Sequence, residues 1–462
     1  MTRNIRTTLL TLTAVATSTV VMVGTASAEV SAEEAKQLGT TLTVWGAEKA
    51  GNKEGTIPAY TGEKIAPPAG WDRKKQGFPD PWGEKPLFTI TAQNVAKYAD
   101  KLDGMVEVFK KYPNFRMDIY PTHRIFAMPK YVVDNSIKNA TGCKTSQDQY
   151  SLDGCYPGVL FPIPKTGNQV MWNKLLNYGS NAWVSENVST YVTPVSGSPV
   201  LQSANLITTE LPLYNPANTK VIGHDDVYFR ARVDQTGPAR GNGNKYVFLY
   251  SVNTIDVGSR AWSYIPGQRR VKLSPDLAYD TPSPISGGAS LMDEQTGFLG
   301  AMDRFDFKLA GKKEKYIMAN NFNLTDPRVC PDSKVTGTKN FPNPDCVRWE
   351  LHRVWVVEAK LKPQYRHVYK TRKFFFDEDG FIPGGQEGYD GAGTLYRITN
   401  SSSYSFFNGG GTSSQGMVEM DLLTGIWTLQ GAYGSEGGAY YVIPPVNDHF
   451  FTPDSLAAEG IR

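Results

Sequence analysis

The chain has 462 residues, with 48 Lys and Arg against 45 Asp and Glu, a formal charge of +3. So near-neutral a balance excludes a nucleic-acid binder, which needs clustered cations to neutralise phosphates. Aromatic residues make up 12% of the chain, enough for broad apolar walls beside an ordinary core, and the length admits two or three domains or one large body.

Arg3 and Arg6 are the only charges before Glu29, and the stretch Leu9–Val23 is rich in Leu, Val, Thr and Ala. Ala26-Ser27-Ala28 then supplies the small side chains that a signal protease needs. Residues 1–28 are therefore predicted to be a signal peptide cut after Ala28, and the mature chain to work in a bacterial periplasm. Thr11, Thr13, Thr17, Ser18 and Thr19 interrupt the apolar run and argue against a retained anchor. No Cys follows the cleavage pattern, so a lipoprotein anchor is not expected. The two leader arginines leave with it, and the charge falls to +1. No later stretch approaches 18 apolar residues, so a soluble protein is expected.

Residues 29–86 read as an N-terminal arm. Six Pro and six Gly between 51 and 86 block regular structure. Tyr60, Trp71, Phe78 and Trp82 in the same stretch predict an arm that lies along the body, since a free linker has no use for four aromatics. Residues 87–462 read as a single β-rich domain. Its first element is a helix near 92–112, with Thr91 as N-cap, Pro113 as terminator, and Val95, Tyr98, Leu102, Met105, Val106 and Phe109 at helical spacing. That stripe reads as core. A second helix is expected near 169–178, with Met171, Trp172, Leu175 and Leu176 on its apolar side.

The four cysteines allow three pairings. Cys143–Cys155 and Cys330–Cys346 are predicted, because each pair closes a short polar, turn-rich segment. An oxidising compartment makes disulfides the default, each contributing about 3 kcal/mol on a loop-entropy basis. A zinc site lacks both a C-x-x-C and a nearby His, and no cofactor or metal is expected.

From about residue 220 the period becomes two. Val227, Phe229, Ala231 and Val233 alternate with Asp226, Tyr228, Arg230, Arg232 and Asp234, which predicts a strand with one apolar and one polar face. Further strands are expected at Lys245–Ile255, Arg260–Ile265, Lys313–Met318, His352–Ala359, Arg366–Phe376, Leu395–Asn400, Gly416–Leu422 and Ile426–Gln430. Pro266-Gly267, Asp379-Gly380 and Thr424-Gly425 mark turns between them. Helices first and hairpins after predict an α+β, β-rich antiparallel fold. The Gly-rich segments Asn242–Asn244, Gly384–Gly393 and Asn408–Gly416 read as exposed loops.

Catalytic signatures do not surface. Five histidines form no H-E-x-x-H, and no G-x-S-x-G elbow, Walker loop or G-x-G-x-x-G after a strand occurs. His224-Asp225-Asp226 reads as the polar turn entering the strand at Val227. Asp377-Glu378-Asp379-Gly380 reads as a hairpin turn, because Gly388 stands where a calcium loop needs its bidentate Glu.

The blocks Gly46–Asn52, Gly55–Ala59, Tyr98–Leu102, Tyr120–Arg124, Phe161–Pro164, Tyr264–Val271, Asp280–Pro282, Asp303–Asp306 and Arg353–Ala359, in this order, closely resemble the Gram-negative family catalogued as domain of unknown function 1329. A more distant likeness, in Tyr264-Ile265-Pro266, the arginines after it, the Asp303–Phe307 block and Arg353–Val357, is to periplasmic lipoprotein-sorting carriers. It implies a curved antiparallel sheet, an incomplete barrel, covered by helices over an apolar cavity. The resemblance also implies a partner, an inner-membrane exporter of the resistance-nodulation-division type. On this reading the protein is a non-catalytic carrier for an apolar small molecule, a lipid first of all. Trp262, Tyr264, Phe305, Phe307 and Trp355 are the candidate wall residues, and Arg269 and Arg270 the candidate rim cations for an anionic head group. A periplasmic carbohydrate-binding protein, stacking sugars on exposed aromatics, is the alternative, with a hydrolase and an outer-membrane barrel behind it. The terminal Glu459-Gly460-Ile461-Arg462 lacks the aromatic end usual in such barrels.

Overall fold

The computed structural model describes residues 30–72, 78–217, 220–407, 411–433 and 439–460. The expected leader, and its cleavage point after Ala28, lie outside them. In chain order the strands are β1 Phe88–Thr91, β2 Arg116–Ile119, β3 Lys144–Thr145, β4 Leu152–Asp153, β5 Ala182–Thr193, β6 Val200–Glu210, β7 Val227–Gly237, β8 Lys245–Ser251 and β9 Ser259–Ile265. They continue as β10 Arg270–Leu273, β11 Phe305–Ile317, β12 Glu350–Leu361, β13 Thr371–Asp377, β14 Pro383–Tyr389, β15 Leu395–Ser405, β16 Thr412–Asp421, β17 Trp427–Ala432 and β18 Ala439–Val442.

Two small two-stranded sheets pair β1 with β2 and β3 with β4, and all other strands named here join one antiparallel sheet. Its order is β10-β9-β8-β7-β6-β5-β17-β16-β15-β14-β13-β12-β11, with β18 pairing β5 beyond β17. The first meander runs from the centre at β5 out to one edge at β10. The second starts at the opposite edge with β11 and returns to the centre at β17. Residues 274–304 must therefore cross the whole sheet, and they form a strap over one face. β10 and β11 do not pair with each other, so the barrel is incomplete.

Period-two alternation decides what each face carries. Ala231 pairs Phe248, which pairs Ala261, while Arg232 pairs Val247, which pairs Trp262. Partners share a face, so the first row faces inward and the second outward. Register shifts between Ser185 and Val188, Leu309 and Gly311, and Leu429 and Ala432 mark bulges, which bend strands and increase twist. The two ends of the sheet meet in one apolar cluster, with Phe248 and Ala261 from one end and Phe307 and Trp355 from the other. The helix Gly167–Leu175, buried along its length, fills the space between them. The outer face is covered twice. Leu102, Met105 and Phe109 pack with Ile398, Val418 and Leu429 over the centre, and Phe451 and Leu456 pack on Val247 and Tyr264 near the edge.

Both predicted disulfides are present, Cys143–Cys155 and Cys330–Cys346. The aromatics of residues 60–82 contact the body of the protein. The Tyr60 hydroxyl donates to the Phe126 carbonyl at 2.9 Å, Trp71 meets Phe407 edge-on at 4.9 Å, Phe78 is buried beside Tyr404, and Trp82 stacks on His123 at 3.8 Å.

The single helix expected near 92–112 is two pieces, a 3-10 turn Val95–Lys101 and an α-helix Met105–Lys111. Thr91 ends a strand instead of capping the helix. The break lies at Asp103, with a left-handed φ of 49°. Its carboxylate accepts from Lys313 at 2.8 Å and Lys315 at 3.2 Å, and the Gly104 N–H donates to Glu387 at 2.6 Å. Long-range ionic contacts to the sheet outweigh helix continuity here. The second helix starts at Gly167 and ends at Leu175, capped by the Thr166 hydroxyl. A helix at Lys130–Gly142, and β5 and β6, were not foreseen.

Two expected loops are strands. Pro383–Tyr389 within the Gly-rich stretch is β14 and is buried over most of its length. A Cβ on Gly388 would stand 2.4 Å from the Tyr369 ring, and one on Gly385 would stand 2.6 Å from the Thr399 carbonyl oxygen. Glycine here marks close approach inside a sheet and not a solvated turn. Likewise β16 begins at Thr412, inside the Asn408–Gly416 stretch.

Candidate functional site: the strapped inner face

The inner face of the sheet is divided along its width. At the β6–β8 end it is apolar, with Ile207, Phe229, Ala231, Val233 and Phe248 in adjacent rows. At the centre it is polar, with Arg372, Gln386, Arg397, Thr399, Glu419 and Gln430 all buried. At the β11–β13 end it is aromatic, and Phe307, Trp355, Phe374 and Phe376 pack with Phe298 of the strap in the main core.

The strap is tied down at the polar centre. Asp293 accepts from Arg372 at 2.7 Å and pairs with His367 at 3.1 Å. Glu294 accepts from Arg397 at 2.8 Å and from the Tyr369 hydroxyl. Burial raises the Asp293 carboxyl, but Arg372 and His367 outweigh it and hold it at about 2. Glu419 lies beyond this pair. Burial, with Glu294 adding to it, pushes its carboxyl up to about 8, while Thr428 and Gln430 donate to it at 2.8 and 2.7 Å. The strap is thus held by charge at one place and lies over apolar side chains at another. Between it and the β6–β8 rows remains a cavity of about 120 Å³, lined by Ile207, Phe229, Ala231 and Phe248 from the sheet and Met292 and Leu299 from the strap. A second cavity of about 180 Å³ adjoins it at Tyr250, Met292 and Leu299, near the exposed Ile255.

The residues proposed from sequence are dispersed. Trp262 and Tyr264 lie on the outer face, under the C-terminal segment, and do not reach the cavity. Arg269 and Arg270 are exposed at the β9–β10 turn. Phe305, Phe307 and Trp355 are on the inner face but buried in the core at the far end, away from the apolar cavity. The cavity rows contain instead Phe229, Ala231 and Val233, whose alternation was visible in the sequence. The strap carried no periodic signal.

The turn at 377–380 is the expected hairpin, but its carboxylates are buried and matched by cations. Asp377 pairs with His352 at 2.8 Å, Glu378 accepts from Arg353 at 2.7 Å and Asp379 from Arg124 at 2.7 Å. Burial, opposed and outweighed by Asp377 and Glu350, leaves His352 raised to about 10. His224 and Asp225 form the polar turn before β7. Among the described residues no cluster of His, Cys, Asp and Glu has a metal-holding arrangement, and no helix is long and apolar enough to cross a membrane.

The model of the family "Protein of unknown function (DUF1329)" matches residues 89–457. The chain belongs to the DUF1329 family. An uncharacterised protein of Pseudomonas aeruginosa is 38% identical over 442 residues, 94% of this DUF1329 chain and 95% of the relative. Among solved structures, a Vibrio parahaemolyticus domain described provisionally as an outer membrane lipoprotein-sorting protein is similar at 13% identity and a TM-score of 0.41, over 62% of this chain and 96% of that one. A DUF1329 family protein from Desulfovibrio piger has 13% identity and a TM-score of 0.39, over 62% and 95%. A LolA superfamily protein from Nitrosomonas europaea has 12% and 0.35, over 63% and 99%.

Proposed function

We propose that this DUF1329 protein is a non-catalytic periplasmic carrier for an apolar ligand, a lipid first of all. The observation that carries the reading is the apolar cavity on the inner face of β6–β8, closed by a strap that a buried ionic cluster anchors. An apolar chain is held out of water at about 0.8 kcal/mol per CH₂, and such a site needs walls and no catalytic groups. A volume of about 120 Å³ suits part of a chain, since apolar cavities of about 150 Å³ hold one benzene. The space that adjoins it past Tyr250 is more polar, with Thr254, Ser259 and Tyr279 beside Ile255. A longer ligand requires the strap to shift outward around its anchor at Asp293 and Glu294. Two disulfides fit an oxidising compartment. An inner-membrane exporter as working partner rests on the family resemblance alone. The carbohydrate alternative has no matching surface at the tryptophans, because Trp355 is buried against Phe381 and Trp262 lies beneath the C-terminal helix.

The test is native mass spectrometry with lipid extraction on protein purified from the periplasm, followed by titration with a fluorescent apolar probe. Ala231→Phe, which fills the cavity, is expected to abolish probe binding with an unchanged circular dichroism spectrum. Protein that carries no lipid and binds no probe above background defeats the carrier reading.

A further inference from the structure

Buried cations in this protein follow one pattern with one exception. Among the described residues, Arg124, Arg232, Lys315, Arg348, Arg353, Arg372 and Arg397 are each buried and each paired with a carboxylate. That is the expected condition, since a fully buried charge is rare unless paired. Lys174 is 3% exposed, and its ammonium donates to the Thr296 hydroxyl at 3.1 Å. Among the described residues no carboxylate pairs with it.

Its position gives the exception a direction. Lys174 stands in the last turn of the helix Gly167–Leu175, and Thr296 belongs to the strap, where it takes a left-handed φ of 51°. Both line a small cavity of about 50 Å³ that also includes Trp183 and Tyr440. This cavity adjoins the apolar one, sharing Phe229, Thr296 and Leu299 with it. Trp183 is 5% exposed, and its indole N–H has no acceptor among the described residues. Two buried donors, one cationic, thus border a space that adjoins an apolar cavity. The cavity beside the exposed Ile255 adjoins that apolar cavity as well, at Tyr250, Met292 and Leu299. Leu299 of the strap borders all three spaces.

We propose that the ligand is an amphiphile with one anionic oxygen head, a carboxylate or a phosphate, held by Lys174 with Trp183, and with its tail in the apolar cavity under the strap. The proposal rests on the carrier reading and adds the chemistry of the head and the place where it is held. A charge-assisted bond from ammonium to an anionic oxygen is about twice as strong as a neutral one, and stronger still where water is excluded. Burial alone pushes the ammonium down to about 7, so the site gains most from a ligand that brings the counter-charge with it. The exposed Arg269 and Arg270, on a turn away from this cavity, have no part in it.

The experiment is calorimetric titration of delipidated full-length protein with dodecanoate, dodecyl phosphate and dodecanol. The wild type is expected to bind at least one of the two anions about tenfold or more tighter than the alcohol. The better anion identifies the head group. Lys174→Met is expected to erase that preference, so that the anion and dodecanol bind the variant with equal affinity. An apolar chain of similar length in place of this buried charge removes its desolvation cost, and the melting temperature verifies that the fold is kept. The wild-type comparison stands without the variant. Equal binding of anion and alcohol overturns the assignment of Lys174 and leaves the carrier reading standing. Binding of none of the three overturns both.

Discussion

The inner and outer faces of β7–β9 come from the same strands, yet one is a core and the other borders a cavity. On the outer face the C-terminal segment fits closely. Phe450 and Phe451 lie over Arg232 and Arg230, each at 4.5 Å, and Leu456 is fully buried beside Tyr264. On the inner face the strap is pinned by Asp293 and Glu294 to Arg372 and Arg397 at the polar centre, and beside that anchor it does not fill the space above Ala231 and Phe229. The lesson is that aromatic content does not locate a binding face. A cover that interdigitates makes a core, and a cover held by ion pairs to one side leaves room.

The sharpest way to break this contrast is at the anchor. Asp293→Ala strands Arg372 and His367 without their carboxylate, and removing one partner of a buried pair costs about 3–5 kcal/mol. A marked drop in melting temperature is expected, together with easier exchange of bound probe. Unchanged melting would mean that charge does not hold the strap. Next, Leu456→Asp puts an unpaired charge under the outer cover, which costs several kcal/mol. It is expected to destabilise the protein in chemical denaturation while the residual folded fraction still binds probe. A selective loss of binding would instead place the ligand on the outer face. Trp262→Ala removes a half-buried ring from the same face. About 1–2 kcal/mol of packing is expected to go, with probe affinity unchanged by fluorescence titration. Ala231→Phe is the inner counterpart, with stability lowered by no more than about 3 kcal/mol and binding lost.

The smallest effect is one of pH. Glu419 is buried, and its folded carboxyl is raised from 4.5 to about 8. Between those values the folded protein keeps a proton that the unfolded chain releases. The group's contribution is therefore full below about 4.5 and is lost as pH rises through about 8. Glu419→Gln keeps the acceptor for Thr428 and Gln430 and cannot ionise. Melting curves from pH 5 to 9 should show the wild type falling relative to this variant. Parallel curves would contradict the assignment.

Local patterns determined much of this molecule. The alternation at Val227–Asp234, the turns at Pro266-Gly267, Asp379-Gly380 and Thr424-Gly425 and both cysteine pairings were legible, because each depends on residues close in sequence. Buried polar side chains hid other elements. In the helix Lys130–Gly142 the inward positions include Asn135, Ser136 and Asn139, and Asn139 donates to the Tyr156 and Val159 carbonyls, so no apolar stripe announces it. In β14 close approach demands glycine, which reads as a loop. The site was legible only in part. That Phe229, Ala231 and Val233 share a face is written in the sequence. That this face, and not the one bearing Trp262, borders a cavity was decided by which segment covers each. The cover is the strap, and its path follows from β10 and β11 standing at opposite edges of the sheet. The ions that pin it, Asp293 with Arg372 and Glu294 with Arg397, lie 79 and 103 residues apart along the chain. Lys174 is an ordinary helical lysine by sequence, and only the packed structure leaves it buried with no carboxylate beside it among the described residues.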